Sequence, residues 1–313
     1  MWNAGVRTRL AVPDRPSIST LAEMRGVPLK AHVMVAMTVV VAAGCSSSAS
    51  SSSPSGRTEA TVASQAADLA HPVGVVAIGH SGLTGEGTGQ PLQAVPAKSW
   101  ATGSDPQVNS VYLRMVAVLP ETKGHVANTA TGGAPASALT SQAQQALDTV
   151  PAPALAIIQT VDNDIRCDGS NVAEVGQALG NALEVIHDAS PNTKILVAGQ
   201  LGRPSAAFVS TLVAHDPTTK SDLTFGDACS FFDDAGNLRR AGIARLSAVI
   251  DTYEAETARV CAQVPNCVTD GGVRKAYIDT IENFSPDYAH LNTQGQAAEA
   301  QLIWPVVAAL LKT

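Results

Sequence analysis

From Val73 onward the chain alternates short apolar runs rich in β-branched residues with longer segments of helical period. A run that is apolar at every residue needs cover on both faces of its sheet. Val73–Ile78, Leu155–Val161 and Ile195–Gly199 have that character, and Lys275–Thr280 is a weaker fourth. Between them Ser110–Leu119, Ser137–Leu147 and Asn171–Ala189 read as helices, the last with Val172, Val175, Leu179, Leu183 and Ile186 on one stripe. Ala241–Val264 and Thr293–Leu311 read as two more. Strand and helix in alternation predict an α/β fold with a parallel sheet and helices on both faces, which takes its ligands at the carboxyl ends of the strands. No repeat of fixed period is present, which sets a solenoid aside.

The first seventy residues have a different character. Arg25 and Lys30 precede an apolar run from Val33 to Ala43 that ends in small residues before Cys45. That is the order of an export signal, and the run is too short to span a bilayer. Residues 1–23 add nothing to the signal, so Met24 is a candidate start. "VVAAGC" resembles a bacterial lipobox, with Ala42 at the position where leucine is common. Acylation of Cys45 would then anchor the chain at the outer face of the cell membrane or in the envelope, and an ordinary cleaved secretory signal is the alternative. The Ser-rich stretch up to residue 70 is too polar to bury a core and reads as a tether. The expected organisation is a signal in 1–44, a lipidated tether in 45–70 and one domain in 71–313. Without residues 1–44 the net formal charge moves from -7 to -10, which offers no footprint for nucleic acid.

Four cysteines remain in the domain. An even number in an exported chain predicts two disulfides, with three connectivities open. The expected pairs are Cys261 with Cys267, closing "CAQVPNC" at the end of a helix, and Cys167 with Cys229. No C-x-x-C or H-x-x-x-H spacing accompanies them, so no metal is expected.

Four short blocks carry the candidate chemistry. "VGVVAIGHSGLTGEG" places Ser81 just after the first strand, in G-x-S-x-x-x-G with Gly79 and Gly85. It lacks the lysine of a P-loop, the G-x-G-x-x-G of a dinucleotide site and the second glycine of G-x-S-x-G. Ser81 is therefore either a turn residue or a nucleophile. In "SPDYAHLNTQG" Asp287 and His290 are three apart, a spacing at which the carboxylate can orient Nδ1 and leave Nε2 free as a base. A capping histidine has the same appearance. In "IIQTVDNDIRCDG" Asn163 follows a strand, as an oxyanion donor or the start of an Asx-turn. In "HVANTATGGAPASAL" the amide of Gly133, or of adjacent Gly132, is a second oxyanion donor or merely part of a loop. His80 adjoins Ser81, but neighbours on a turn point apart, so it is not read as the base.

Taken together the four blocks resemble the SGNH (GDSL-type) hydrolase superfamily. There the serine lies in G-D-S-x-x-x-G, a glycine after the second strand, an asparagine in G-x-N-D after the third, and the base in D-x-x-H near the C-terminus. Ser81, Gly133, Asn163 and Asp287 with His290 match in that order, and "DYAHLNTQG" matches D-x-x-H-x-N-x-x-G at all four fixed positions. His80 replaces the aspartate of G-D-S and Val161 the glycine of G-x-N-D. The resemblance implies a three-layer α/β/α sandwich of flavodoxin-like type, with a mostly parallel five-stranded sheet. It also implies an esterase: Ser81 as nucleophile, His290 as base oriented by Asp287, an oxyanion hole from Ser81, Gly133 and Asn163, no cofactor, and a monomer acting on a small-molecule or cell-envelope ester, lipid or acylated glycan. A binding protein that has lost turnover and an acyltransferase are the alternatives. Trp100 and Tyr112 are candidates to line the site.

Overall fold

The computed structural model describes residues 71–89, 93–278 and 280–312. The expected signal, tether and Cys45 lipidation lie outside the described residues. Among those residues β1 (Val75–Gly79), β2 (Val126–Asn128), β3 (Leu155–Gln159), β4 (Lys194–Ala198) and β5 (Cys267–Thr269) form one parallel sheet in the order β2-β1-β3-β4-β5. The helices are α1 (Val111–Val118), α2 (Leu139–Thr149), α3 (Val172–Ala189), α4 (Ala206–His215), the single turn α5 (Thr219–Asp222), α6 (Arg240–Cys261) and α7 (Thr293–Leu310).

Because side chains alternate along a strand, each central strand feeds two cores. Val76, Ile78, Ala156, Ile158, Ile195 and Val197 pack with α2, α3 and α6. Val75, Ala77, Leu155, Ile157, Leu196 and Ala198 pack with α1 and α7 on the other face. The result is the expected three-layer sandwich, and it explains why β1 and β3 are buried at every residue. Each fully buried Leu or Ile contributes about 1.5–3 kcal/mol.

Both expected disulfides form, Cys167–Cys229 and Cys261–Cys267. Two elements differ from expectation. Among the described residues Lys275–Thr280 forms no strand: Ile278 is 86% exposed, and Tyr277 packs against Leu201, Phe284 and Leu291 away from the sheet cores. The fifth strand comes earlier, at Cys267–Thr269, where the Cys261–Cys267 bridge turns the chain from α6 back onto the sheet edge. Strand β2 and helix α4 carry no clear sequence signal; β2 is a three-residue edge strand of mixed burial.

The order 2-1-3-4-5 reverses direction between β1 and β3, and the crevice at such a reversal is where open α/β sheets take ligands. Ser81 follows β1 and Asn163 follows β3, so both stand at that point.

Candidate active site

The G-x-S-x-x-x-G spacing has a steric basis. Gly79 ends β1 at φ +142°, and a Cβ there would lie 1.8 Å from the Gln159 carbonyl oxygen; Gly85, at φ +70°, would meet the Val95 oxygen at 2.3 Å. Only glycine fits either place. Between them Ser81–Leu83 is one 3-10 turn, closed by Leu83 N–H donating to His80 O and Thr84 N–H to Ser81 O, both at 3.0 Å. Helix α2 reaches across to hold the end of β1. Gly79 N–H donates to Gln142 Oε1 at 2.7 Å, and Gln142 Nε2 donates back to Gly79 O at 3.0 Å.

His80 takes over the capping role open to an aspartate at its position. Its Nδ1 accepts from Gly82 N–H at 3.2 Å, which puts the proton of a neutral ring on Nε2, facing Asp162 Oδ1 at 3.4 Å. Nδ1 is thus committed to the Gly82 amide, and Nε2 stands within ion-pair distance of Asp162. Burial by itself would raise the Asp162 carboxyl; the facing His80 helps hold it below the usual carboxylate range.

The turn before α7 builds the second half of the site. Asp287 Oδ1 accepts from the N–H groups of Ala289 and His290 at 2.9 and 3.0 Å and from the Ser285 hydroxyl, while Oδ2 meets His290 Nδ1 at 2.7 Å. Burial would raise this carboxyl too, but the hydrogen bonds from His290, Ser285 and Ala289 hold it well below the ordinary range. Asn292 caps α7, accepting from Gly295 N–H at 3.0 Å, and a Cβ on Gly295 would come within 2.2 Å of Asn283 O. Each of the four fixed positions of "DYAHLNTQG" thus has a structural role, two in orienting a ring and two in joining the turn to the helix.

The loop after β3 is tied down at several points. Asp164 N–H donates to Val161 O at 2.8 Å, Asp164 Oδ2 accepts from Ala136 N–H at 2.7 Å, and Tyr253 of α6 donates to Asp164 O at 3.1 Å. Burial pushes the Asp164 carboxyl up, the Ala136 amide opposing. Val161 stands at φ +92° and is buried, so a β-branched residue occupies backbone space where the resembled family has glycine. Asn163 Nδ2 donates to Ala134 O at 3.1 Å, which leaves its second N–H uncommitted.

Ser81, Asn163 and His290 line one cleft. Asp287 supports it from behind. Gly133 does not line it: it is exposed at φ +73°, with nothing within 4 Å of an added Cβ. Adjacent Gly132 is the closer of the two, since a Cβ there would stand 2.8 Å from Glu86 Oε2. Trp100 and Tyr112 do not line it either. Trp100 is fully buried in the α1/α7 core, and the Tyr112 hydroxyl accepts from Gly124 N–H at 2.9 Å. An apolar ring of that size is worth more in the core than at a wet mouth.

The cleft also holds residues with no motif to announce them. Glu86 Oε1 stands 3.7 Å from His290 Nε2, so the imidazole lies between two carboxylates. Arg274 and Glu299, 1% and 3% exposed, pair at 2.8 Å at the cleft wall, with the guanidinium 5.4 Å from the Trp100 ring centroid. Helical spacing was the available signal for Gln296 and Glu299, three apart on α7; for Glu86 there was only its place one residue after the motif.

No family model and no curated protein matches the chain. Solved structures do. An extracellular lipase from Streptomyces rimosus is 17% identical with a TM-score of 0.47, the match covering 76% of this chain and 99% of that one. A phospholipase A1 from Streptomyces albidoflavus is 12% identical at 0.45, over 76% and 99%. A family two carbohydrate esterase from Cellvibrio japonicus is 14% identical at 0.42, over 77% and 62%. The chain is similar to these proteins along the α/β domain described above.

Proposed function

We propose that the chain is a serine esterase that cleaves a carboxylic ester through an acyl-enzyme. The observation that carries this reading is the 2.7 Å contact of Asp287 Oδ2 with His290 Nδ1, which turns Nε2 of His290 toward the cleft that Ser81 also lines. In the reaction His290 Nε2 takes the Ser81 hydroxyl proton as Oγ attacks the carbonyl carbon. The oxyanion is held by the Ser81 amide, the Asn163 side chain and an amide of the Gly132–Gly133 pair, and the imidazolium then protonates the leaving alcohol. Water attacks the acyl carbon with His290 again as base, which frees the acid and Ser81. Losing the Asn163 donor should lower kcat about 100- to 1000-fold.

The test is p-nitrophenyl acetate hydrolysis by the full chain beside Ser81→Ala and His290→Ala. The expected result is loss of at least about a thousandfold in kcat in both variants. Absence of turnover in the parent, together with no labelling of Ser81 by a fluorophosphonate, would refute the reading in favour of a binding protein. Two disulfides suit an oxidising compartment. With the lipobox resemblance at Cys45 they support a surface-anchored enzyme, and Cys45→Ala should release it from membranes.

A further inference from the structure

Glu86 reaches the Ser81 cleft along a loop shaped to bring it there. It sits between Gly85 and Gly87, and a Cβ on Gly87, at φ +89°, would lie 2.6 Å from His290 Cβ. The loop after Ser81 is thus pressed against the turn that carries the base. Glu86 N–H donates to Thr84 Oγ1 at 3.3 Å, and that hydroxyl donates to Ser81 O at 2.9 Å, so the loop is tied to the Ser81 turn as well. The Glu86 side chain lines the cleft, and the residue is 7% exposed. Its Oε1 stands 3.7 Å from His290 Nε2, and its Oε2 would meet a Cβ on Gly132 at 2.8 Å. A carboxylate so buried needs a partner of opposite charge, and the one it faces is the ring nitrogen that has to take and return the Ser81 proton. At 3.7 Å the contact is one of charge rather than a hydrogen bond. From its own turn the ring faces Asp287. The other charged groups of the cleft are matched among themselves, His80 with Asp162 and Arg274 with Glu299, and Tyr288 of the same turn meets His215 of α4 edge-on.

We propose, resting on the esterase reading above, that Glu86 is a positioning residue of the reaction, whose carboxylate stabilises His290 while the ring carries the Ser81 proton. As Ser81 Oγ bonds to the ester carbon its proton passes to Nε2, and the ring becomes a cation between two carboxylates. The proton then goes to the leaving oxygen as the ester C–O bond breaks, and Glu86 gains and loses none. Asp287 serves Nδ1, whereas Glu86 answers the charge on the side where the proton arrives. Opposite charges at such a distance change an ionisation by about tenfold or more. The charge that stabilises the imidazolium also delays its deprotonation, so Glu86 speeds the reaction at high pH and slows it at low pH.

The experiment measures kcat/KM of the full chain on p-nitrophenyl acetate from about pH 5 to about pH 9, for the parent, Glu86→Gln and Glu86→Asp. Glu86→Gln keeps the shape and removes the charge. We expect it to move the midpoint of the acid limb about one pH unit lower. The alkaline plateau should fall about threefold, the square root of that tenfold change, for a proton about half transferred in the transition state. The two profiles therefore cross, with the variant about threefold faster than the parent on the acid side. Glu86→Asp keeps the charge farther from the ring, and its midpoint should fall between the other two. In parallel, proton NMR follows the His290 imidazole, identified by its loss in His290→Gln, in Ser81→Ala protein with and without Glu86→Gln; its titration should move in the same direction and by a similar amount. A uniform loss at every pH with the limb unmoved would mean that Glu86 only supports the loop, and it would overturn the proposal while leaving the esterase reading standing, as would a midpoint moved upward. No turnover in the parent, with the imidazole titration moved, would instead remove the esterase reading and the role built on it, leaving a carboxylate–imidazole contact in a binding cleft.

Discussion

Gln142 should be worth far more than a mid-helix glutamine usually is. It is 5% exposed on α2 and clasps both sides of Gly79, the residue from which the Ser81 turn departs. In Gln142→Leu the two ends of the clasp fare differently. The Gly79 carbonyl still accepts from Thr131 N–H at 3.1 Å, so losing the Gln142 donor there costs about 0.5–1.5 kcal/mol, the net worth of one hydrogen bond. The Gly79 N–H loses its Gln142 acceptor and is left buried, which costs about 1–3 kcal/mol. The sum is about 1.5–4.5 kcal/mol, or roughly 3–18 °C in Tm for a domain of this size. Equilibrium urea unfolding of parent and variant under non-reducing conditions gives the difference directly from the midpoints at equal slope. The same loosening shifts Ser81, and a misplacement near 1 Å can lower turnover about a hundredfold. A loss of under about 0.5 kcal/mol with kcat intact would refute the reasoning, because it would mean that Gly79 needs no partner from α2.

Val161→Gly exchanges burial for backbone relief. Removing a buried valine side chain to glycine costs about 3 kcal/mol, while releasing the φ +92° conformation returns about 1–3 kcal/mol; urea midpoints should show a net loss under about 2 kcal/mol, and a full 3 would deny the strain. The Asp287 carboxyl has a lowered folded pKa, so the stabilisation it gives is present above the ordinary value of about 3.9 and fades as pH falls through the folded one. The stability gap between the parent and Asp287→Asn should therefore be wider at pH 6 than at pH 3.5, and a gap that grew on acidification would contradict the assignment. The two disulfides close loops of unequal length, with separations of 62 and 6 residues. Replacing Cys167 and Cys229 by alanine should cost about 4 kcal/mol and replacing Cys261 and Cys267 about 2, and the reverse order in urea midpoints would argue against the loop-entropy account.

What could be read from the sequence is what repeats locally. The fully apolar runs became β1, β3 and β4 because a central parallel strand must be apolar at both alternations, and the amphipathic stripes became α1, α2, α3, α6 and α7. The Ser81 turn, the Asp287–His290 pair and Asn163 lie within motifs in which Gly79, Gly85, Asp287, Asn292 and Gly295 each answer a nearby steric or hydrogen-bonding need. What could not be read depends on contacts far apart in the chain. Gln142 and Gly79 are 63 residues apart, and Arg274 meets Glu299 only because α7 returns along the sheet. Glu86 differs again: it is near Ser81 in sequence, but its significance comes from the approach of His290. Strand β2 is too short and too mixed in burial for any period to show.

The two departures from the resembled pattern show which of its letters are chemistry and which are geometry. At position 80 the geometry calls for an acceptor to hold the Gly82 amide, and a histidine supplies it through Nδ1 at 3.2 Å. That leaves a ring N–H buried on the far side, and Asp162, in the variable place of G-x-N-D, faces it at 3.4 Å. One substitution is therefore answered by the residue across the cleft, a compensation that a motif read one block at a time does not display. At position 161 no neighbour compensates: the positive φ is kept and the side chain is buried in the core beside Ile165, so burial offsets the strain. Ser81, Asn163, Asp287 and His290, by contrast, are unaltered in type and bear on one cleft. Both departures are thus answered by local geometry, and the proposed chemistry rests on those four side chains rather than on the letters around them.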